Sequence, residues 1–521
     1  MVPQTALNLR WLAPWVLALL ALGCASHVER RLLPPAGLAG LHGQDGSRPE
    51  LKAHLVNGDL LLFDSWQLDS LDTWLLGQGV HYDASRRVLQ HGSLAVPVSR
   101  VVLCETAHIT PADKGGPLIG MSVVTGILGL VCAVNPKACF GSCPTVYAPD
   151  AQGRMVLMAE CFSSSVAPAL EASDLDMLLN ARANTRDIRL QLTNEAQETH
   201  VIRRLDLLAL PRPTDGRTYA TGEGVFVQGL EARPASVALA PEGDCTELLA
   251  RADGQERFGP ADPHDLAARE WLELQFDEVP EGPLGLVLVG RQTLLTTFLF
   301  YQALAWLGDE AGSWLASLDS GGPDACARAG AVGDLLGSIE VQVLDMAGAW
   351  IPVGSVGETG PIAADTELVP LPDTVQRPLR VRLLQTRGLW RLDQAALVRL
   401  GDPVMPVRLS PVAVKQDGRP DADALDRLRD PERVLISLPG DCRQLQYALP
   451  QDPASFELFL DARGYYLEWM REEWLAEQDL RKAARLARDP AACLRELAPE
   501  FKKLEPLMEE DFWSSRYVIQ P

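Results

Sequence analysis

Four cysteines set at close spacing are the first residues in this chain whose chemistry invites a reading. Cys132, Cys139, Cys143 and Cys161 bracket the run Cys139-Phe140-Gly141-Ser142-Cys143-Pro144-Thr145. Four-residue spacing lets a tight loop bring the Cys139 and Cys143 sulfurs to bonding distance, with Cys132 and Cys161 available for a second bridge. A structural disulfide knot is the reading that follows. A four-cysteine zinc site is the alternative, disfavoured where thiols are oxidised before metal can claim them. A thioredoxin-type redox pair needs two residues between its cysteines, and this pair has three.

Other candidates are weaker. Ser163, Ser164 and Ser165 lack a Gly-x-Ser-x-Gly elbow, and none of the eight histidines stands in a recognisable relation to them, so a turn or solvated strand is expected there. Glu171, Asp174 and Asp176 offer hard oxygens for calcium. Without the glycine and distal glutamate of an EF-hand loop, they read as a solvated acidic loop. Trp350, Arg380, Arg382 and Trp390 could line a ligand rim, stacked rings beside guanidinium groups suiting sugar faces or carboxylates. Gly-rich phosphate loops and His-Glu-x-x-His are absent from the sequence, and no catalytic residue, metal site or cofactor is assigned.

The elements that would position these residues are mostly strands. Residues 51–110 carry short alternating runs and the turn pair Asn57-Gly58, which suggests a small β-barrel or roll. Residues 135–318 alternate in the same way, as in a β-sandwich, and end in an apolar helix over Thr293–Leu318. Strands resume over 335–412. A charged linker is expected at 413–433, then an α+β region at 434–521 with helices across Glu468–Arg488 and Ala491–Glu505. The fold class expected is therefore mainly β and multidomain, with small barrel, sandwich or jelly-roll modules and C-terminal helices. The segment Leu118–Val134, within an apolar stretch at 115–134, runs seventeen residues without a charge. It is read as buried or membrane-associated.

The N-terminus carries the clearest address. Arg10 precedes an apolar run from Trp11 to Leu22, twelve residues long, which suits a signal-peptide core and is too short to span a bilayer. The run ends in Ala21-Leu22-Gly23-Cys24, which resembles the lipobox of bacterial lipoproteins, with Ala21 in place of the usual leucine. The resemblance implies cleavage of residues 1–23, acylation (palmitate) of Cys24, a flexible tether over 24–50 rich in Pro and Gly, and a cell-envelope location, the outer membrane before the inner. An ordinary secretory signal with a stray cysteine is the alternative.

Two further resemblances are carried by quoted residues. The Cys139–Thr145 block, Ala167-Pro168-Ala169-Leu170-Glu171 and Thr297-Phe298-Leu299-Phe300-Tyr301-Gln302 resemble a family of uncharacterised exported bacterial proteins, which brings no activity with it. Trp350, the Gly360-Pro361-Ile362 turn, Arg380, Arg382 and Trp390-Arg391-Leu392-Asp393 resemble a galactose-binding-like jelly roll, which implies a binding module.

With 69 acidic against 47 basic residues, the chain has a net charge of −22 and repels phosphate backbones, which excludes nucleic acid as a partner. The sequence therefore points to a non-enzymatic, lipid-anchored envelope protein with a scaffolding, adhesion or ligand-binding role, touching the bilayer through Cys24 and envelope proteins or glycans elsewhere. An exported hydrolase of envelope polymers, and a subunit of a membrane or secretion assembly, are the alternatives.

Overall fold

The computed structural model describes residues 27–33, 35–40, 51–55, 59–82, 88–110, 143–182, 185–311, 314, 332–357, 359–372, 377–450, 453–469, 474 and 476–515. It is mainly β, built of antiparallel sheets with a few helices toward the C-terminus. The chain divides into two compact units, one formed by residues 1–84 and 88–127, the other by 85–87 and 128–521.

The first unit holds sheet I. Its strands are β1 (His27–Leu33), β2 (Leu51–Leu55), β3 (Leu60–Leu68), β4 (Trp74–Tyr82), β5 (Val88–Pro97) and β6 (Val101–Thr110), in the order β1-β6-β2-β3-β4-β5. The β2–β3 hairpin expected around Asn57-Gly58 is present, His54 facing Leu60, while residues 56–58 themselves lie outside the described set. Alternate residues Leu51, Ala53, Leu55, Leu61, Phe63 and Trp66 form the core, with Leu38 and Cys104. One expectation is corrected. Residues 27–33, assigned to a flexible tether, pair along their whole length with β6 from His27↔Thr110 to Leu33↔Cys104. Open backbone hydrogen bonds on β6 outweigh the Pro/Gly content that follows.

The second unit contains four sheets. Sheet II runs β26 (Arg419–Pro420), β25 (Ala413–Gln416), β28 (Cys442–Ala448), β10 (Asp187–Thr193), β7 (Thr145–Pro149) and β8 (Met155–Glu160). Sheet III runs β24 (Val407–Leu409), β11 (Glu198–Pro211), β29 (Phe456–Glu468) and β9 (Ala172–Met177), with β27 (Leu435–Ser437) also on β11. Sheet IV runs β12 (Gly216–Ala220), β13 (Phe226–Pro234), β23 (Trp390–Val404), β18 (Leu284–Gln292) and β21 (Asp365–Pro370), with β16 (Arg257–Phe258) on β23. Sheet V runs β15 (Gly243–Asp244), β14 (Val237–Ala240), β17 (Arg269–Phe276), β22 (Leu379–Thr386), β19 (Ile339–Leu344) and β20 (Trp350–Val356).

The side-chain period of two explains how these sheets stack. On β18, Leu284, Leu286 and Leu288 pack with Leu272, Val341 and Val381 of sheet V, while Val287 and Val289 pack with Leu208, Leu210 and Phe459 of sheet III. On β11, Leu205, Leu207 and Ala209 turn the other way, against Ile188, Leu190 and Leu445 of sheet II. Sheets III and IV are thus covered on both faces, which is why β18 is a continuous apolar run rather than an alternating one. Sheets II to V form a four-layer stack.

The order of strands is nested. Residues 145–211 and 407–468 make sheets II and III, and the chain between, 216–404, makes sheets IV and V. Strands of the stretch expected as a module of its own over 335–412 consequently pair with strands from 216–292: β22 with β17, and β21 with β18.

Helix α1 (Leu295–Leu307) lies within the expected 293–318 span and is buried almost all round, Phe298 and Leu299 in the sheet IV–V core and Tyr301 against Trp474 with ring centroids 4.7 Å apart. The linker expected at 413–433 instead holds β25, β26 and helix α2 (Ala422–Arg429), whose N-cap Asp421 accepts from the Ala424 N–H. The start of the helix expected across Glu468–Arg488 is also corrected: Glu468 closes β29, paired with Glu198 of β11, while residues 470–473 and 475 lie outside the described set and helix α3 (Leu480–Arg488) occupies the end of the expected span. Helices α4 (Pro490–Leu504) and α5 (Met508–Ser515) follow, α4 capped by Asp489 with Pro490 at its first turn. Phe501 of α4 meets Phe298 of α1, ring centroids 5.3 Å apart.

Candidate functional site

The outward face of sheet V brings together three of the four rim residues. Because Leu272, Leu274, Val381 and Leu383 point into the core, the residues between them on β17 and β22 face out: Trp271, Glu273 and Gln275, then Arg380, Arg382 and Leu384. Register places Glu273 opposite Arg382 and Gln275 opposite Arg380. Arg382 donates to Glu273 Oε1 at 2.6 Å and Arg380 to Oε2 at 2.8 Å. The Arg382 guanidinium lies 4.1 Å from the centroid of the Trp350 ring, and that of Arg380 5.7 Å from it. One carboxylate therefore holds two guanidiniums beside one indole, and Trp271, two residues before Glu273 on the same face of β17, is 40% exposed.

Trp390 is not part of this rim. It opens β23 on sheet IV and is buried in the core between sheets IV and V. The sequence spacing of tryptophans could not separate an outward from an inward position, because that depends on which sheet each strand joins.

A second group of polar side chains lies inside the stack, and the sequence reading missed it. His200 and Glu198, both fully buried, are bonded at 2.8 Å on β11. Across the ladder, Tyr466 faces His200 and Glu468 faces Glu198. The Tyr301 hydroxyl donates to Glu468 across 3.3 Å. Burial, with Cys143, Glu198, Tyr301 and Glu468 nearby, pushes the Tyr466 hydroxyl well above the usual tyrosine value. Glu160, at the end of β8, is pushed up to about 8 by burial, against the pull of N–H donors from Ile362 and Ala363 and of the Cys143 thiol. Polar residues alternating along a strand ordinarily mark a solvent face. Here the second face is covered by another sheet, and that is not visible in the strand's own pattern.

Ser163 and Ser164 sit in the turn after β8. Tyr466 bonds the Ser163 and Ser165 carbonyls, through its hydroxyl at 3.2 Å and its N–H at 2.9 Å. The Ser165 hydroxyl is buried without a hydrogen-bond partner among the described residues. Cys143 and Cys161 are buried and carry thiols rather than a disulfide, while their expected partners Cys139 and Cys132 lie outside the described residues, as does Cys24. Burial raises the Cys161 thiol well above its ordinary value, with Asp176, Asp174 and Glu160 adding to the shift. Cys104 is a buried thiol pushed up to about 12 by burial, in keeping with its apolar setting.

The acidic trio is corrected. It is not a solvated loop: Asp174 and Asp176 lie on β9, and Asp176 is buried. Glu171 takes a two-pronged bond from Arg203 at 2.7 and 3.0 Å and a third bond from Arg463 at 2.8 Å, which hold its carboxyl below the usual range. No group of three or more His, Cys, Asp or Glu among the described residues is arranged to hold a metal ion. No helix among them is long and apolar enough to cross a membrane, and residues 118–134 lie outside the described set. No protein-family model matches this chain, and no curated protein matches it.

Proposed function

We propose that this chain is a non-enzymatic, lipid-anchored protein of the bacterial cell envelope that binds a glycan on the outward face of sheet V. The reading rests on one observation above the rest: Trp350, Arg380 and Arg382, separated in sequence, meet on an open sheet face around Glu273, with Trp271 two residues along β17 on the same face. Indole faces stack on the apolar faces of sugar rings, and an arginine–carboxylate fork supplies fixed donors and acceptors for hydroxyl groups. In this reading sheets IV and V form a jelly-roll-like sandwich, sheets II and III a second sandwich, and sheet I a small roll. The lipobox-like Ala21–Cys24 run supplies the anchor, and the outer membrane the location.

Affinity electrophoresis of the protein through gels containing solubilised peptidoglycan or envelope polysaccharide tests it. Retardation by one polymer is expected, and a Trp271→Ala, Trp350→Ala double variant of unchanged thermal stability should lose it. Equal mobility with and without every polymer, or equal retardation of the variant, overturns the proposal.

The hydrolase alternative has one observation in its favour, the His200–Glu198 pair beside the Ser163–Ser165 turn. Both members of that pair are sealed from solvent, so the sheet V face carries the stronger case.

A further inference from the structure

The edges of sheets II, III and IV meet at a cluster of carboxyl groups that the glycan reading does not use. Glu160 closes β8, Asp174 and Asp176 stand on β9, and Asp365 and Glu367 on β21. The three edges are tied by backbone donors. The Phe162 N–H, in the turn after β8, donates to Asp174 at 2.5 Å, the Ile362 N–H before β21 donates to Glu160 at 2.8 Å, and the Met177 N–H of β9 donates to Asp365. Glu160 and Asp176 are buried, and each keeps one carboxyl oxygen, Oε1 and Oδ2, without a hydrogen-bond partner among the described residues.

No cation offsets these groups among the described residues. The guanidiniums of Arg204 and Arg408 are taken by Asp461 on β29, the carboxylate that faces Asp174, and Arg408 also by Asp206 on β11. The remaining groups that face the cluster are acids or weak acids: Glu198 of β11 toward Glu160, Asp461 toward Asp174, and the thiols of Cys143 and Cys161. Carboxyl groups gathered in this way, with Glu160 and Asp176 buried among them, resist ionising together, because each added charge is desolvated or repelled by the others.

We propose that this junction is a pH-sensitive latch: the edges of β8, β9 and β21 close on one another while carboxyl groups among the five keep their protons, and loosen when those protons are withdrawn. Burial is the first cause that raises all five groups, and neighbouring carboxylates add to it for Asp174, Asp176, Asp365 and Glu367. Asp365 is raised to about 6, Glu367 and Glu160 to about 8, and Asp176 well above its ordinary value. An acid whose value is raised by folding contributes stability that is complete below its unfolded value and is lost as pH rises through the folded one. The latch is therefore shut in acid and opens across the interval from about 6 to about 8 set by Asp365, Glu367 and Glu160.

Amide exchange of the whole protein, corrected for its intrinsic rise with pH, tests this. Between about pH 5 and about pH 9, exchange in β9 and β21 should increase about tenfold or more relative to β17, a tenfold change corresponding to one pH unit for a single linked proton. Asp176→Asn with Glu367→Gln, which imitates the protonated state, should flatten that rise. Infrared absorption of protonated carboxyl groups in the wild-type protein at about pH 7 gives a reading that needs no variant. Uniform exchange across the three strands, or no protonated carboxyl band at neutral pH, overturns the latch.

Discussion

Glu457 is the residue whose loss should weaken the second unit most for a single polar substitution. It stands at the start of β29, almost fully buried at 1% exposure, opposite Leu210 and so beside the passage from β11 of sheet III to β12 of sheet IV. Arg212, just past β11, bonds both of its oxygens at 2.9 and 3.1 Å. Arg217 of β12 bonds the same two at 3.1 and 3.3 Å and reaches on to the Leu179 carbonyl at 2.6 Å. A third guanidinium, Arg182, is close enough that Arg212 and Arg217 help to lower its value after burial has done so first. Glu457→Gln removes the carboxylate that these guanidiniums share, and breaking a buried pair on one side costs about 3–5 kcal/mol. The two bonded arginines keep about a quarter of their side-chain surface in water, 24% and 26%, so part of that cost is screened away. The expected loss is about 2–3 kcal/mol, or a fall in Tm of roughly 5 °C for a unit of this size. Urea unfolding of wild type and Glu457→Gln measures it, with Glu278→Gln as control, since that carboxylate is 83% exposed and its pair with Arg233 spans 3.5 Å. A midpoint for Glu457→Gln equal to that of the control would refute the claim that this carboxylate fastens the crossing between sheets.

Two further outcomes are expected. Leu286→Ala and Val287→Ala should each destabilise the second unit in chemical denaturation, the leucine by about 2–5 kcal/mol and the valine somewhat less, because neighbours on β18 feed two different cores; a silent Val287 would mean that sheet IV has an open face. Growth with a clickable palmitate should label the wild-type chain and not Cys24→Ala, and label that persists in the variant would remove the anchor.

What the sequence disclosed and what it hid follow from the range of each signal. Strand alternation and hairpin turns are local, so β2, β3, β17, β19 and β22 were legible within a few residues of their ends. Helix α1 was legible because its apolar residues run on all sides. Partner choice is not local. Nothing in residues 339–386 reveals that β22 pairs with β17 a hundred residues upstream, so the nesting of 216–404 inside sheets II and III stayed hidden. The same blindness misplaced Trp390 and turned Asp174 and Asp176 into a loop. Both readings failed where a strand's second face or edge is covered by a distant segment. Glu468 was read as the start of a helix because the bulky residues beside it satisfy either period, and its pairing with Glu198 decides for the strand.

The four-layer stack also narrows where a ligand can bind on the second unit. Sheets III and IV are covered on both faces, which leaves only the outer faces of sheets II and V for contact with anything large. On sheet II the outward positions of β10 and β28 are Asp187, Arg189, Gln191, Gln444 and Gln446, a mostly polar surface whose one neighbouring ring on β7, Tyr147 opposite Gln191, is half-buried and bonds Glu195. On sheet V they include Trp271, Trp350, Arg380 and Arg382, the aromatic and arginine types that dominate binding surfaces. Exposing two tryptophans on a flat sheet costs solubility and invites edge and face association. The Glu273 fork holds Arg382 over the Trp350 ring, which shields one side of that indole while leaving Trp271 open. A surface kept only for stability would have no need of two exposed tryptophans, and these rings are the physical ground for the recognition proposed on sheet V.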